Sequence, residues 1–511
     1  MREKHTQGRR SFGVIGGLGP LASADLFFKL VKSTPATGDA DHFDIVFEQH
    51  PFRGAGATSA ATVERQLYIF DLIRAFEKRG IETVVLPCFL SHTFMDELKA
   101  NSPLQIVDMI EAVRHLVRCK FPSVRRIGVL ASDYTRHNGL FERYFSAPEF
   151  DVIHPRMDGG TDLVTRAVYG NNGIKSGHLA GQPVALLKAA CEDLIAQGAE
   201  IIMPGMTEIA LVADELRAEL GTAGVPLIDS NLAYAQYIVS GQYESPAKRF
   251  KVGVVGGVGP AATVDFMQKI VSNTPAKRDQ DHIKLLVEQN PQIPDRTDNL
   301  IGDGPDPTLS LYATCKKLES GDADIIAIPC NTAHAFVHRI QPYLGIPIVN
   351  MLTVTVEMLR DSFPSLGDVG LLATSGTVAS GVYRQALEAQ GLRQVLPSPA
   401  LQASVMNAIY GKEGVKAGFV NGPCMDDICA ALEGLADQGV EVVILGCTEL
   451  PLLLPGAQWV SARGRTITLV DPTDILAKRC VAYAMAAAEP GAGPQAPHQD
   501  GAPRSPAALA P

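Results

Sequence analysis

Two cysteines in the C-terminal half of this 511-residue chain lie in contexts suited to proton transfer. Cys330 is followed by Asn-Thr and Cys447 by Thr-Glu, and each follows a run of aliphatic residues. A thiol between a strand end and a helix start meets unpaired N–H groups, which lower its pKa toward neutrality. Two such thiols facing one carbon from opposite sides could act as base and acid. Their titrations would then be coupled, since the reaction needs one thiolate and one thiol.

Three short motifs of the N-terminal half recur in the same order in the C-terminal half. They are Gly-Gly-Leu-Gly-Pro20 and Gly-Gly-Val-Gly-Pro260, Pro-Cys88 and Pro-Cys330, and Gly-Met206-Thr-Glu and Gly-Cys447-Thr-Glu. The spacing between the copies is nearly constant. The chain is therefore a tandem duplication in which only the second copy has both cysteines.

Short β-branched runs alternate with amphipathic stretches within each copy. In the second copy, residues 251–255, 283–288, 323–328, 369–373 and 440–445 are predicted strands, and residues 261–271, 353–362 and 425–438 are predicted helices. Such alternation favours parallel sheets covered by helices on both faces. We predict an α/β fold of two homologous halves, each with two pseudo-symmetric lobes and a cleft at the strand ends between them.

The length of the chain predicts more than one domain. We place a degenerate domain at 11–245, an active domain at 250–487 and a disordered tail, rich in Pro, Ala and Gly, at 488–511.

Composition excludes several classes of partner. The net charge is −10 and no run of Lys or Arg stands out, so we expect neither nucleic acid nor a membrane surface as partner. The nine cysteines form no C-x-x-C pair, which argues against a zinc ribbon or a disulfide framework. With no signal peptide or apolar membrane segment recognisable, we expect a cytoplasmic protein with reduced thiols.

The strings Pro-Cys330-Asn-Thr-Ala-His and Gly-Cys447-Thr-Glu resemble motifs of the aspartate/glutamate racemase superfamily. The resemblance covers roughly residues 11–487, and the opening Gly-Gly-Val-Gly-Pro260 is similar to the aspartate racemase branch. It implies two α/β lobes, two cysteines as the proton-transfer pair and no cofactor such as pyridoxal phosphate. Cell-wall glutamate racemases usually carry His where this chain has Glu449.

The resemblance also implies a substrate-binding set. Arg296, in Pro-Asp-Arg-Thr, matches the arginine that binds the distal carboxylate of the substrate, and Lys416 matches a lysine of the same pocket. A bidentate Arg–carboxylate pair would select dicarboxylic substrates. The polar residues beside the cysteines or at a strand end complete the predicted set: Asn331, Thr332, Thr374 and Thr448.

Two other kinds of site receive less support. Gly257-x-Gly259-x-x-Ala262 has the form of a dinucleotide fingerprint, but Glu288, the acidic residue at the end of the next predicted strand, is too distant for it. We interpret the glycines as a tight turn at the cleft. His334 follows Cys330 by four residues, yet no second ligand pair accompanies them, so we expect no metal.

The first copy departs from the pattern at several positions. It keeps Cys88 and Lys175, but Met206 has no ionisable proton, and Phe89-Leu90 replaces Asn-Thr. We predict that this half is inactive as a racemase. It could serve as a built-in partner in an intrachain pseudo-dimer, with a homodimer also possible, or support one-base chemistry through Cys88 and His92.

The sequence hypothesis is cofactor-independent racemisation of an acidic amino acid, aspartate before glutamate, in the C-terminal half. One alternative is a maleate-isomerase-like or decarboxylase-like enzyme that acts on a dicarboxylate through one nucleophilic cysteine. Another is a non-catalytic amino-acid-binding protein.

Overall fold

A computed structural model describes residues 10–53, 59–156, 162–221, 224–243 and 250–487. The chain divides into two compact units, Met1–Lys248 and Arg249–Pro511. The predicted tail at 488–511 lies outside the described residues.

The N-terminal unit contains two parallel sheets. Its strands are β1 (Ser11–Gly16), β2 (Asp44–Gln49), β3 (Thr83–Val85), β4 (Gln105–Val107), β5 (Arg126–Leu130), β6 (Asp151–Ile153) and β7 (Ile201–Pro204). The first sheet has the order β2-β1-β3-β4 and the second the order β6-β5-β7. The glycine turn follows β1, the central strand of the first sheet.

Helices connect these strands, as parallel pairing requires. They are α1 (Pro20–Ser33), α2 (Ser59–Lys78), α3 (Met95–Asn101), α4 (Met109–Lys120), α5 (Asp133–His137), α6 (Leu140–Tyr144), α7 (Leu163–Tyr169), α8 (Gln182–Ala196), α9 (Ala213–Leu220) and α10 (Ser230–Ser240).

The C-terminal unit repeats this arrangement with a larger second sheet. Its strands are β8 (Lys251–Gly256), β9 (Lys284–Gln289), β10 (Ile325–Ala327), β11 (Ile348–Val349), β12 (Asp368–Leu372), β13 (Arg393–Val395), β14 (Val442–Leu445), β15 (Gln458–Val460) and β16 (Thr466–Val470). The sheets have the orders β9-β8-β10-β11 and β13-β12-β14-β16-β15. Only the β15–β16 pair is antiparallel among the strands that the structure describes.

The helices of this unit cover both faces of its sheets. They are α11 (Pro260–Asn273), α12 (Arg296–Ile301), α13 (Thr308–Ser320), α14 (His334–Ile340), α15 (Met351–Ser362), α16 (Ser375–Ser380), α17 (Val382–Ala389), α18 (Pro399–Tyr410), α19 (Pro423–Asp437), α20 (Leu450–Leu453) and α21 (Pro472–Ala487). Within the described ranges, none of the helices combines the length and apolar character needed to cross a membrane.

Buried aliphatic side chains on both faces of the sheets explain this architecture. The strands β10, β12 and β14 are buried along nearly their whole length, as expected for sheets between two helical layers. The predicted α/β fold of two tandem halves, each with two parallel-sheet lobes, is confirmed. The strands β11, β13, β15 and β16 were not predicted, and the first three of them have only two or three residues each.

Candidate active site

A small cavity lies between the two sheets of the C-terminal unit. Its walls come from loops after β8, β9 and β10 on one side, and after β12, β14 and α18 on the other. All eight residues predicted from the sequence line it: Arg296, Cys330, Asn331, Thr332, Thr374, Lys416, Cys447 and Thr448. About 10 Å³ is open to the centre of a water molecule, room for about one water. An amino acid is larger, so its binding requires the lining side chains to move apart.

The loop that carries Cys330 is held by a buried histidine. His334 Nδ1 donates to the Cys330 carbonyl at 2.9 Å, and the Met351 N–H donates to His334 Nε2 at 3.1 Å. Burial lowers the pKa of His334, so the ring is neutral. Both ring nitrogens are occupied, and no cluster of metal ligands occurs in the described part of the chain. His334 therefore fixes the backbone of Cys330.

Arg296 is buried beside Cys330 at the start of α12. Its guanidinium donates to the carbonyls of Ile293, Pro294 and Val258 at 3.4, 3.2 and 3.2 Å. Its Nε is buried without a partner. Burial by itself would lower the pKa of the guanidinium, but attraction to Cys330, Asp295 and Tyr410 together raises it. The cation thus faces the first thiol and keeps one unused donor.

Asn331 offers a second unused donor on the same side. The Tyr383 hydroxyl donates to Asn331 Oδ1 at 2.6 Å, while Asn331 Nδ2 is buried without a partner. Four buried threonine hydroxyls join this wall to the loop after β12 through mutual hydrogen bonds of 2.7–3.3 Å: Thr297, Thr332, Thr374 and Thr377. Thr377 belongs to the hydroxyl cluster but does not line the cavity. The Cys330 side is therefore rich in hydrogen-bond donors.

Cys447, on the opposite wall, is hydrogen-bonded to a carboxylate. Its thiol donates to Glu449 Oε2 at 3.0 Å, and Lys416 Nζ lies 2.6 Å from Glu449 Oε1. Burial and then the charge of Glu449 raise the pKa of Cys447 well above its usual value. The expected depression of the thiol pKa is wrong for Cys447, because α20 begins only at Leu450 and a buried carboxylate faces the sulfur.

Lys416, which is partly exposed, and the buried Glu449 form an ion pair. Burial would lower the pKa of Lys416, but attraction to Glu449 and Cys447 raises it. Burial would raise the pKa of Glu449, but attraction to Lys416 lowers it. Both groups are therefore charged near neutral pH. Lys416 lines the cavity as predicted, with Glu449 as its partner in this structure.

The repeated glycine turn packs on this carboxylate. A Cβ at Gly259 would lie 2.5 Å from Glu449 Oε1, and Gly259 has a φ of +129°. Gly259 therefore satisfies two demands, a backbone conformation that L side chains rarely adopt and the close approach of Glu449. The turn supports the cavity wall, which agrees with the tight-turn interpretation.

The N-terminal unit keeps this ion pair without the thiol. Lys175 Nζ lies 2.5 Å from Glu208 Oε1, and a Cβ at Gly19 would lie 2.5 Å from the same oxygen. Met206 stands where Cys447 stands in the second unit, and it is buried. The Lys–Glu pair thus forms whether or not a thiol is present.

His92 makes the same two backbone hydrogen bonds as His334 in the other unit, with Asp108 also 3.8 Å away. His92 Nδ1 donates to the Cys88 carbonyl and its Nε2 accepts the Met109 N–H, both at 2.9 Å. Burial lowers the pKa of His92. Neither nitrogen is free to act as a base toward Cys88, which removes the support for one-base chemistry by this pair.

Sequence reasoning missed four residues of the site: Thr297, Tyr383, Tyr410 and the role of Glu449. The Thr-Glu dipeptide recurs in both copies, so the repeat contained a signal for Glu449. Tyr410 similarly recurs as Tyr169. The Lys416 Nζ lies 5.4 Å from the ring centre of Tyr410, and the Lys175 Nζ lies 5.1 Å from that of Tyr169. Nothing local marks Tyr383, because its partner Asn331 is 52 residues away.

Comparison with known proteins identifies the family. The family described as Asp/Glu/Hydantoin racemase matches twice, at residues 15–238 and 255–480. The chain belongs to this family. It is accordingly an isomerase of the racemase class, with two copies of the family domain in tandem.

Several relatives are similar to part of this racemase-family chain. A broad specificity amino-acid racemase of Bacillus subtilis is 26% identical over 46% of this chain and 98% of its own length. A glutamate racemase of Corynebacterium kroppenstedtii is 29% identical over 34% of this chain and 58% of its own length. Among solved structures, an aspartate racemase of Picrophilus torridus is 30% identical, with a TM-score of 0.40 over 46% of this chain and 94% of its own.

Proposed function

We propose that the C-terminal unit racemises an acidic amino acid, aspartate in preference to glutamate, with two thiols and no cofactor. The observation that carries the proposal is that Cys330 and Cys447 line one cavity together with Arg296 and Lys416. The two thiols would transfer protons to and from the α-carbon of the substrate, and two cations suit a substrate with two carboxylates.

The surroundings of the two sulfurs suggest how protons are distributed in the resting enzyme. The Cys447 thiol donates a hydrogen bond to Glu449 Oε2 at 3.0 Å, and its raised pKa keeps Cys447 protonated. Cys330 lies on the opposite wall, beside the Arg296 guanidinium. Cys330 would then remove the α-proton of one enantiomer while Cys447 protonates the opposite face. The roles reverse for the other enantiomer.

The donors on the Cys330 side would stabilise the carbanion-like transition state. Negative charge grows on the α-carboxylate as the proton leaves, and Asn331 Nδ2 is a buried donor without a partner. Donors that are already oriented strengthen their interaction as this charge develops, which lowers the barrier.

Preference for aspartate is supported by the similarity of Gly-Gly-Val-Gly-Pro260 to the aspartate racemase branch. The longer side chain of glutamate would require a larger opening. The inactivity of the N-terminal unit is proposed from Met206, whose thioether can neither donate nor accept the proton.

Solvent exchange tests the proposal. Each aspartate enantiomer is incubated in heavy water, and inversion is followed together with deuterium at Cα. We expect both to occur in the wild type, and Cys330→Ser and Cys447→Ser each to lower the rate by about 10²–10⁴-fold. The matched control, Cys88→Ser, should keep the wild-type rate of inversion and deuterium incorporation. If only Cys88→Ser lost activity, the active site would lie in the N-terminal unit and the proposal would be wrong. Full activity in Cys330→Ser or Cys447→Ser would exclude the two-thiol mechanism.

A further inference from the structure

We infer that Glu449 binds the α-ammonium group of the substrate and thereby selects amino acids over dicarboxylates that lack an amine. The inference deepens the proposed function and rests on it. Neither the family motifs nor the catalytic cysteines assign this role.

An amino acid brings a positive charge as well as its carboxylates into the cavity. A buried ammonium group without an anionic partner is strongly disfavoured. Among the residues that line the cavity, all of them in the described part of the chain, Glu449 is the only one with a carboxylate. It is 3% exposed, so water competes little for it.

Glu449 is also close to where Cα must lie. Its Oε2 is 3.0 Å from the Cys447 sulfur, which has to reach Cα to transfer a proton. The ammonium nitrogen is bonded directly to Cα, so a substrate that contacts this sulfur brings its ammonium next to Glu449. The same carboxylate repels either carboxylate of the substrate from that position.

The remaining donors lie on the other wall. Asn331 Nδ2, buried without a partner, lies on the Cys330 side and is offered to the α-carboxylate, while Arg296 on the same side is offered to the distal carboxylate. The α-carboxylate is attracted to that side, and the ammonium to the Cys447 side. The cavity thus separates the two charged groups of the α-carbon.

Glu449 has room for another donor. A carboxylate accepts about four hydrogen bonds. Glu449 accepts Lys416 on Oε1, Cys447 on Oε2 and a long contact from the Thr448 hydroxyl at 3.4 Å. One acceptor position therefore remains for the ammonium while Lys416 continues to hold the carboxylate ionised.

Equilibrium binding to the full chain tests the inference without requiring turnover. Calorimetry compares racemic aspartate with succinate, which has both carboxylates and no amine. We expect the wild type to bind aspartate roughly ten- to a hundredfold more tightly than succinate. Glu449→Gln should weaken aspartate binding by a similar factor and leave succinate binding unchanged or tighter. The matched control, Glu208→Gln in the N-terminal unit, should alter neither.

Two results would overturn the inference. One is equal weakening of both ligands in Glu449→Gln, which would indicate a general loss of the cavity. The other is wild-type binding of succinate as tight as that of aspartate, a measurement that holds even if the variant fails to fold. Failure of the proposed function is recognised separately, since the wild type would then bind aspartate without exchanging its α-proton.

Discussion

Removal of Lys416 is the sharpest perturbation of this site. Lys416→Met deletes the cation 2.6 Å from Glu449 Oε1, and the two side chains are only 24% and 4% exposed. Loss of one partner of a buried ion pair costs about 3–5 kcal/mol. Because Lys416 is partly exposed, we expect the lower end, about 3 kcal/mol of unfolding free energy at pH 8.

The loss of unfolding free energy in Lys416→Met should depend on pH. In the wild type, burial raises the pKa of Glu449, but Lys416 brings it below the usual 4.5. A depressed folded-state pKa contributes stability that is present above the unfolded-state pKa and is lost as pH falls through the folded-state value. In Lys416→Met the attraction to the cation is gone and burial, the largest influence, is opposed only by the hydrogen bonds to Glu449, so we expect the pKa of Glu449 to rise above its unfolded value. The variant then regains stability as pH falls and Glu449 becomes protonated.

Urea denaturation of wild type and variant at pH 8 and pH 5 measures the loss of unfolding free energy and its dependence on pH. We expect the difference in unfolding free energy to be clearly smaller at pH 5. The N-terminal counterpart is a matched control: Lys175→Met breaks a pair with 26% and 7% exposure, so it should lower stability similarly but leave racemisation intact. A difference of less than about 1 kcal/mol at pH 8, the range of surface ion pairs, would refute the reasoning, as would the absence of a pH trend.

Three further outcomes are expected. Arg296→Ala should lower kcat/KM far more for aspartate than for alanine; equal losses would show that Arg296 does not bind the distal carboxylate. Gly259→Ala should lower unfolding free energy by roughly 1–3 kcal/mol, because φ is +129° there, whereas Gly19→Ala should cost less at its extended φ of −155°. Urea titration of Gly259→Ala and Gly19→Ala measures the two losses of unfolding free energy. Dialysis against a chelator should leave racemisation unchanged, and recovery of lost activity by added metal would contradict the two-thiol mechanism.

Much of the fold could be predicted because strands and helices depend on local periodicity. The predicted strand at 369–373 corresponds to Asp368–Leu372, and the predicted helix at 425–438 to Pro423–Asp437. Parallel strands place their carboxyl ends along one edge, so residues that follow strands converge. This explains why Cys330 and Cys447, 117 positions apart in the sequence (447−330), line one cavity.

The sequence by itself determined the duplication, five of the nine described strands of the C-terminal unit, and the residue types available for proton transfer. The tertiary structure decided which of those groups are partners. Burial and Glu449 raised the pKa of Cys447, where the local motif predicted a lower one. Asn331 gained Tyr383 as a partner from another lobe, which left its Nδ2 free for a ligand. Hydrogen bonds and charges act over a few ångströms in space, so only the packing of the two sheets determines which distant residues come within that range.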